Sequence, residues 1–295
     1  MRRLILVLLL SLAVSAESLP RPDGTPIYYT LARPVRAGFP ILVILQGSEY
    51  RPADGRFEAE REYLLGRGVG VLVVEKPGIG PGLTIQDYLV WNTIDRRLLD
   101  YLEVFSHLRG SEAGWDGRLI LVGGSEGGLV AGILATLLPE TRATVLISSV
   151  STRPMAEWLP EHVVEQMRAG GAPAVAVDAW RAEFEGIRAA CHQTPDSREW
   201  ASDGALARNT YRFWDSILEV RTTGALEKAR QPTLVLLGSQ DESLPSTTVA
   251  QVQGFLADRD LPRVTLWTRP MGHVPPPEVL RECLDWALAR ISERK

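Results

Sequence analysis

Residues 118–132 read RLILVGGSEGGLVAG: an apolar run, six residues made of glycines around one Ser-Glu pair, then a second apolar run. Gly123-Gly124-Ser125-Glu126-Gly127 has the spacing Gly-x-Ser-x-Gly, between a strand-like segment and a helix-like one. A sharp strand-to-helix turn holds its central serine at a strained backbone angle. A side chain at Gly123 or Gly127 would then collide with neighbouring backbone. The helix that follows aims its first amides at the serine, which favours negative charge developing there.

Outward from this turn, short apolar runs recur: PILVIL at 40–45, GVLVVE at 70–75, ATVLIS at 143–148, PTLVLLG at 232–238 and VTLW at 264–267. With RLILVG at 118–123 they predict six strands covered on both faces, the mark of a parallel sheet. Helical spacing fills the intervals. Trp91, Ile94, Leu98, Tyr101, Leu102, Phe105 and Leu108 paint one stripe and predict a helix over 84–108. Leu280, Cys283, Leu284, Ala287, Leu288 and Ile291 do the same near the C-terminus, with Pro275 to Pro277 as a stiff lead-in. The expected fold is α/β, a doubly wound, mostly parallel sheet.

One interval breaks the rhythm. Residues 151–229 are helical in character and hold Trp158, Trp180, Trp200 and Trp214. They are expected to form a helical cap inserted after the sixth core strand, the core being 17–150 and 230–295. The tryptophans suit either the cap's own small core or a substrate wall, and Trp158, Trp180 and Trp214 are the binding candidates.

A formal charge of −4 gives no basic field for phosphates, which argues against nucleic acid. Arg2 and Arg3, an apolar run from Leu4 to about Leu12 and small residues ending at Ala16 resemble a secretory leader over 1–16. The run is short for a bilayer, so a secreted or periplasmic chain without a stable membrane span is expected, or a membrane-anchored one if the leader is kept. Export would permit a disulfide between Cys191 and Cys283, although two inert thiols fit as well. Neither cysteine has metal-ligand spacing, no His-Glu-x-x-His occurs, and Gly78-x-Gly80-x-Gly82 lacks the dinucleotide spacing. No metal and no cofactor is expected.

A serine hydroxyl needs a base, and the base an orienting carboxylate. Of the four histidines, His107, His162 and His192 lie in helical segments, whereas His273 sits in RPMGHVPPP, directly after the run at 264–267. The loop LLGSQDESLP after the run at 232–238 offers Asp241, preferred for its closeness to the strand end, and Glu242. An oxyanion needs two backbone N–H donors. The amide of Glu126 can be one, and the amide of Ser48, in the LQGSEY loop, the other.

These pieces in this order resemble an α/β-hydrolase-superfamily serine hydrolase: LQGSEY, VEKPGIG, VGGSEGG, GSQDESLP and MGHVPPP. The resemblance implies an acyl-enzyme mechanism on a small-molecule acyl substrate, with Ser125 as nucleophile, His273 as base and Asp241 as its orienter. Small-peptide cleavage, or an inactive binding protein of the same shape, are the alternatives. Gln46-Gly47 departs from the His-Gly of many relatives, and Glu126 after the nucleophile is unusual. A capping role at the helix start is expected of that carboxylate.

Overall fold

All six apolar runs form strands: the central five place β-branched or leucine side chains on two covered faces, and the run at 264–267 forms a half-buried edge strand. The computed structural model describes residues 16–53, 55–201 and 209–292. In chain order the elements are β1 (Ala16–Pro20), β2 (Pro26–Ala32), β3 (Phe39–Leu45), α1 (Glu58–Leu65), β4 (Gly70–Val74), α2 (Ile85–Trp91), α3 (Ile94–Ser111), β5 (Trp115–Gly124) and α4 (Glu126–Leu137). Then come β6 (Thr141–Ile147), α5 (Met155–Ala169), α6 (Ala174–Gln193), α7 (Tyr211–Leu218), α8 (Thr223–Lys228), β7 (Thr233–Gly238), α9 (Thr248–Ala257), β8 (Val264–Arg269) and α10 (Pro277–Ser292). The predicted leader lies outside the described residues except for Ala16, which opens β1.

Among the described residues the strands form one eight-stranded sheet in the order β1-β2-β4-β3-β5-β6-β7-β8. Pairing is parallel from β4 to β8 and antiparallel at β1–β2 and β2–β4. Alternation splits each central strand between two cores. Ile41, Val43 and Leu45 of β3 meet Val104 and Phe105 of α3 and Val130 and Leu134 of α4 on one face. Leu42 and Ile44 join Leu64 of α1 and Leu284 of α10 on the other. A fully buried aliphatic side chain stabilises by about 1.5–3 kcal/mol, so these two layers dominate the folding energy.

The first hairpin was not foreseen. β1 is a half-exposed edge without apolar contrast, and three prolines surround its turn at Asp23-Gly24. Gly24 takes φ +80°, as a tight turn requires. The helix expected over 84–108 is two helices. Asn92 and Thr93 are extended, and the Thr93 hydroxyl accepts the Arg96 amide, so α3 starts afresh.

Between β6 and β7 lie α5 to α8. α5, α6 and α7 pack on one another, α7 touches α3, and α8 rests on α4. Cys191 and Cys283 are free and buried in separate cores. Burial pushes their thiols up to about 11 and about 12, which keeps both protonated and unreactive at neutral pH. Among the described residues no helix is long and apolar enough to cross a membrane.

Candidate active site

β5 ends at Gly124 and α4 starts at Glu126, so Ser125 alone makes the turn, with φ 54° and ψ −129°. A non-glycine residue holds such angles only where its surroundings enforce them. Here the enforcement is backbone against backbone. A Cβ at Gly123 would lie 2.2 Å from the Gly127 carbonyl oxygen, and one at Gly127 would lie 2.1 Å from that of Leu45 in β3. The Ser125 amide donates to Ile147 at 2.8 Å, which fastens the turn to β6.

The loops after β7 and β8 are pressed together. A Cβ at Gly238 would stand 2.3 Å from the Met271 carbonyl oxygen, and the Gln240 amide donates to that same oxygen at 3.1 Å. This contact sets Asp241 beside His273, with Nδ1 of His273 3.0 Å from each carboxylate oxygen. The Ser243 amide donates to Asp241 at 2.9 Å. Burial raises the carboxyl's pKa, but His273 and the Ser243 amide outweigh it and hold Asp241 below its ordinary value. With Nδ1–H given to the carboxylate, Nε2 of the imidazole is left as an acceptor. Glu242 is exposed and only its carbonyl is engaged, by Gln166 of α5.

Ser48, Ser125, Glu126 and His273 line one cavity of about 850 Å³. Ser125 and His273 thus meet at the same void, without a hydrogen bond between them. The residues come from the loops or turns after β3, β5 and β8, with Asp241 following β7, all at the carboxyl edge of the parallel strands where such sheets place their sites. Trp158 of α5 and Trp214 of α7 line the cavity with Phe213 and Ile217. Trp180 does not. It lies on the buried face of α6, stacked on Phe184 with ring centroids 5.5 Å apart, in the helices' own core. The other histidines serve elsewhere: His162 meets Gln166, and His192 lies 3.7 Å from Glu219.

The Glu126 side chain does not cap α4. It is buried and paired with Arg97 of α3 at 2.5 Å, and Asn92 donates to it at 3.3 Å. Burial made the pairing obligatory, since a lone carboxylate there would be costly. Gln46 turns its amide toward Glu75 and Arg56.

Three side chains beneath the Gln46–Glu49 loop were not singled out from the sequence. Arg97 donates to the Gln46 carbonyl at 2.6 Å, Lys76 to those of Gly47 at 2.9 Å and of Glu49, and Tyr88 to that of Ser48. The signals were present in two cases. Arg97 sits on the stripe shared by Ile94 and Tyr101, where a charge is out of place, and Lys76 directly follows an apolar strand.

Comparison with solved structures finds the same fold at low identity. Est1E from Butyrivibrio proteoclasticus, with ferulic acid bound, aligns at 18% identity with a TM-score of 0.65, covering 94% of this chain and 100% of that one. The Pyrococcus furiosus esterase Pf2001 aligns at 17% identity and a TM-score of 0.63, covering 94% and 90%. A 2,6-dihydroxy-pseudo-oxynicotine hydrolase aligns at 17% and 0.60, covering 95% and 68%. Comparison with curated protein sequences returns no match. The profile of the alpha/beta hydrolase family matches residues 42–283, from β3 through the start of α10. The chain belongs to the alpha/beta hydrolase family.

Proposed function

We propose that this chain is a serine hydrolase that cleaves a carboxylic ester or related acyl bond through an acyl-enzyme. The observation that carries the reading is the His273–Asp241 pair beside the cavity that the strained Ser125 also lines. Ser125 Oγ attacks the carbonyl carbon as Nε2 of His273 takes its proton. Asp241 holds the imidazole tautomer and stabilises its charged form. The amides of Ser48 and Glu126 receive the oxyanion, each contributing roughly 3 kcal/mol to the barrier reduction. The imidazolium then protonates the leaving group, and a water activated by the same nitrogen releases the acid.

Membership of the hydrolase family and the esterase among the structural neighbours support the reaction class. In this reading α5 to α8 act as a cap over the site, and Trp158, Phe213 and Trp214 favour an apolar acyl or alcohol portion. Residues 1–16 act as an export leader. A fluorophosphonate probe tests the reading. It should label the wild-type protein and not Ser125→Ala, and the wild type alone should turn over a panel of esters of graded chain length. Labelling that survives Ser125→Ala would remove that serine from the chemistry.

A further inference from the structure

We propose that Lys76 and Tyr88, together with Arg97, are positioning residues that aim the oxyanion donors by gripping the carbonyls of their loop. Four successive carbonyls, those of Gln46, Gly47, Ser48 and Glu49, each accept a hydrogen bond from one of these three side chains. A loop usually leaves such carbonyls to water. In a trans peptide the carbonyl oxygen and the following N–H point in opposite directions, and among the described residues no peptide is cis. Lys76 holding the Gly47 carbonyl therefore fixes the direction of the Ser48 N–H, the donor on which the proposed mechanism draws.

Lys76 and Arg97 are each 2% exposed, and neither lines the cavity, whereas Ser48 does, and Tyr88 lines it too while its hydroxyl reaches the Ser48 carbonyl. Gly47 lies against the nucleophile, since a Cβ there would stand 3.5 Å from that of Ser125. Arg97 spans both halves of the oxyanion site. One guanidinium nitrogen holds the Gln46 carbonyl, and the other pairs with the carboxylate of Glu126, whose own amide is the second donor. The ring of Tyr88 lies 5.4 Å from the Lys76 ammonium, so the two gripping groups also steady each other. Preorganisation of this kind matters because an oxyanion donor is effective only when it need not reorient during the reaction.

The inference rests on the acyl-transfer reading, and its test separates the two. Lys76→Met and Tyr88→Phe each remove a grip without touching Ser125, His273 or Asp241. Each should lower kcat about 10- to 100-fold, as expected of a donor misaimed rather than lost, with KM within about twofold. A trifluoromethyl ketone carrying the best substrate's acyl group should lose affinity by the same factor, because its adduct carries the oxyanion. The corresponding product acid should bind as to wild type. A merely structural role would lower thermal stability without this split. Folded Lys76→Met and Tyr88→Phe proteins with wild-type kcat and ketone affinity overturn the inference while the inactivity of Ser125→Ala keeps the reaction class. Turnover persisting in Ser125→Ala overturns both. If Lys76→Met does not fold, Tyr88→Phe decides the matter through the two ligands: Tyr88 also lines the cavity, so an equal loss of affinity for the ketone and the product acid assigns it to substrate contact and overturns the inference.

Discussion

At the scale of single residues, the two ionic contacts near Ser125 have opposite logic. Asp241 and His273 meet beside the cavity, where the proposed mechanism has the carboxylate orient a base, so the loss of one charge should cost rate rather than stability. Asp241→Asn keeps the shape and offers His273 an amide in place of a carboxylate, which favours the wrong tautomer. Turnover should fall by roughly four orders of magnitude with an unchanged circular dichroism spectrum. Unchanged turnover would point to Glu242, although its side chain faces solvent in the structure. Arg97 and Glu126 are both buried, and each charge depends on the other. Glu126→Gln or Arg97→Met strands the remaining charge and should cost about 3–5 kcal/mol in urea denaturation, whereas the double replacement should recover much of that loss. If the two single losses simply add in the double variant, the pair is not energetically coupled.

At the scale of elements, the glycines divide into those that make room and those that only loosen a helix. Gly127 has no space for a methyl group, with the Leu45 carbonyl oxygen 2.1 Å from its virtual Cβ. Gly127→Ala must push α4 away from β3, costing on the order of 3 kcal/mol and moving Ser125 with it, so probe labelling should slow as stability drops. Gly186, exposed within α6, has nothing within 4 Å of its virtual Cβ. Gly186→Ala should raise stability by up to ~1 kcal/mol and leave labelling unchanged, which thermal denaturation of the two variants side by side would check. The elbow was readable in the sequence for the same reason that it is intolerant: steric demands at fixed spacing leave glycine as their trace. β1 and the break at Asn92-Thr93 left weaker traces, since an exposed edge needs no apolar pattern and a threonine cap looks like any helical threonine. The buried grip of Lys76, Tyr88 and Arg97 depends on partners far away in the chain, so local spacing could mark Arg97 as buried but could not name what it holds. Trp180 misled because the apolar character of a tryptophan does not say which void it faces.

At the scale of the whole molecule, folding must carry the Lys76 ammonium from water into a buried place beneath the Gln46–Glu49 loop. Burial, and then the nearby Arg97 cation, pull its pKa from 10.5 down to about 8. In the unfolded chain the same amine keeps its proton up to pH ~10.4. Below pH 8 both states are protonated, and the folded protein bears the whole cost of the buried charge. Between pH 8 and about 10.4 the unfolded state binds more protons than the folded one, so this residue's contribution to stability rises with pH. A neutral amine still has two N–H donors, enough for the carbonyls of Gly47 and Glu49, so the cost can be relieved without releasing the loop. Other groups titrate in the same range, and the informative quantity is therefore a difference. The stability of the wild type relative to Lys76→Met, from urea denaturation at pH 7, 8, 9 and 10, should be flat to pH 8. It should then shift in favour of the wild type by roughly 2–3 kcal/mol by pH 10, at about 1.4 kcal/mol per unit of pKa. A difference that stays level to pH 10 would mean that Lys76 keeps its proton when folded, its charge compensated by Glu49 and Glu126 rather than opposed by burial.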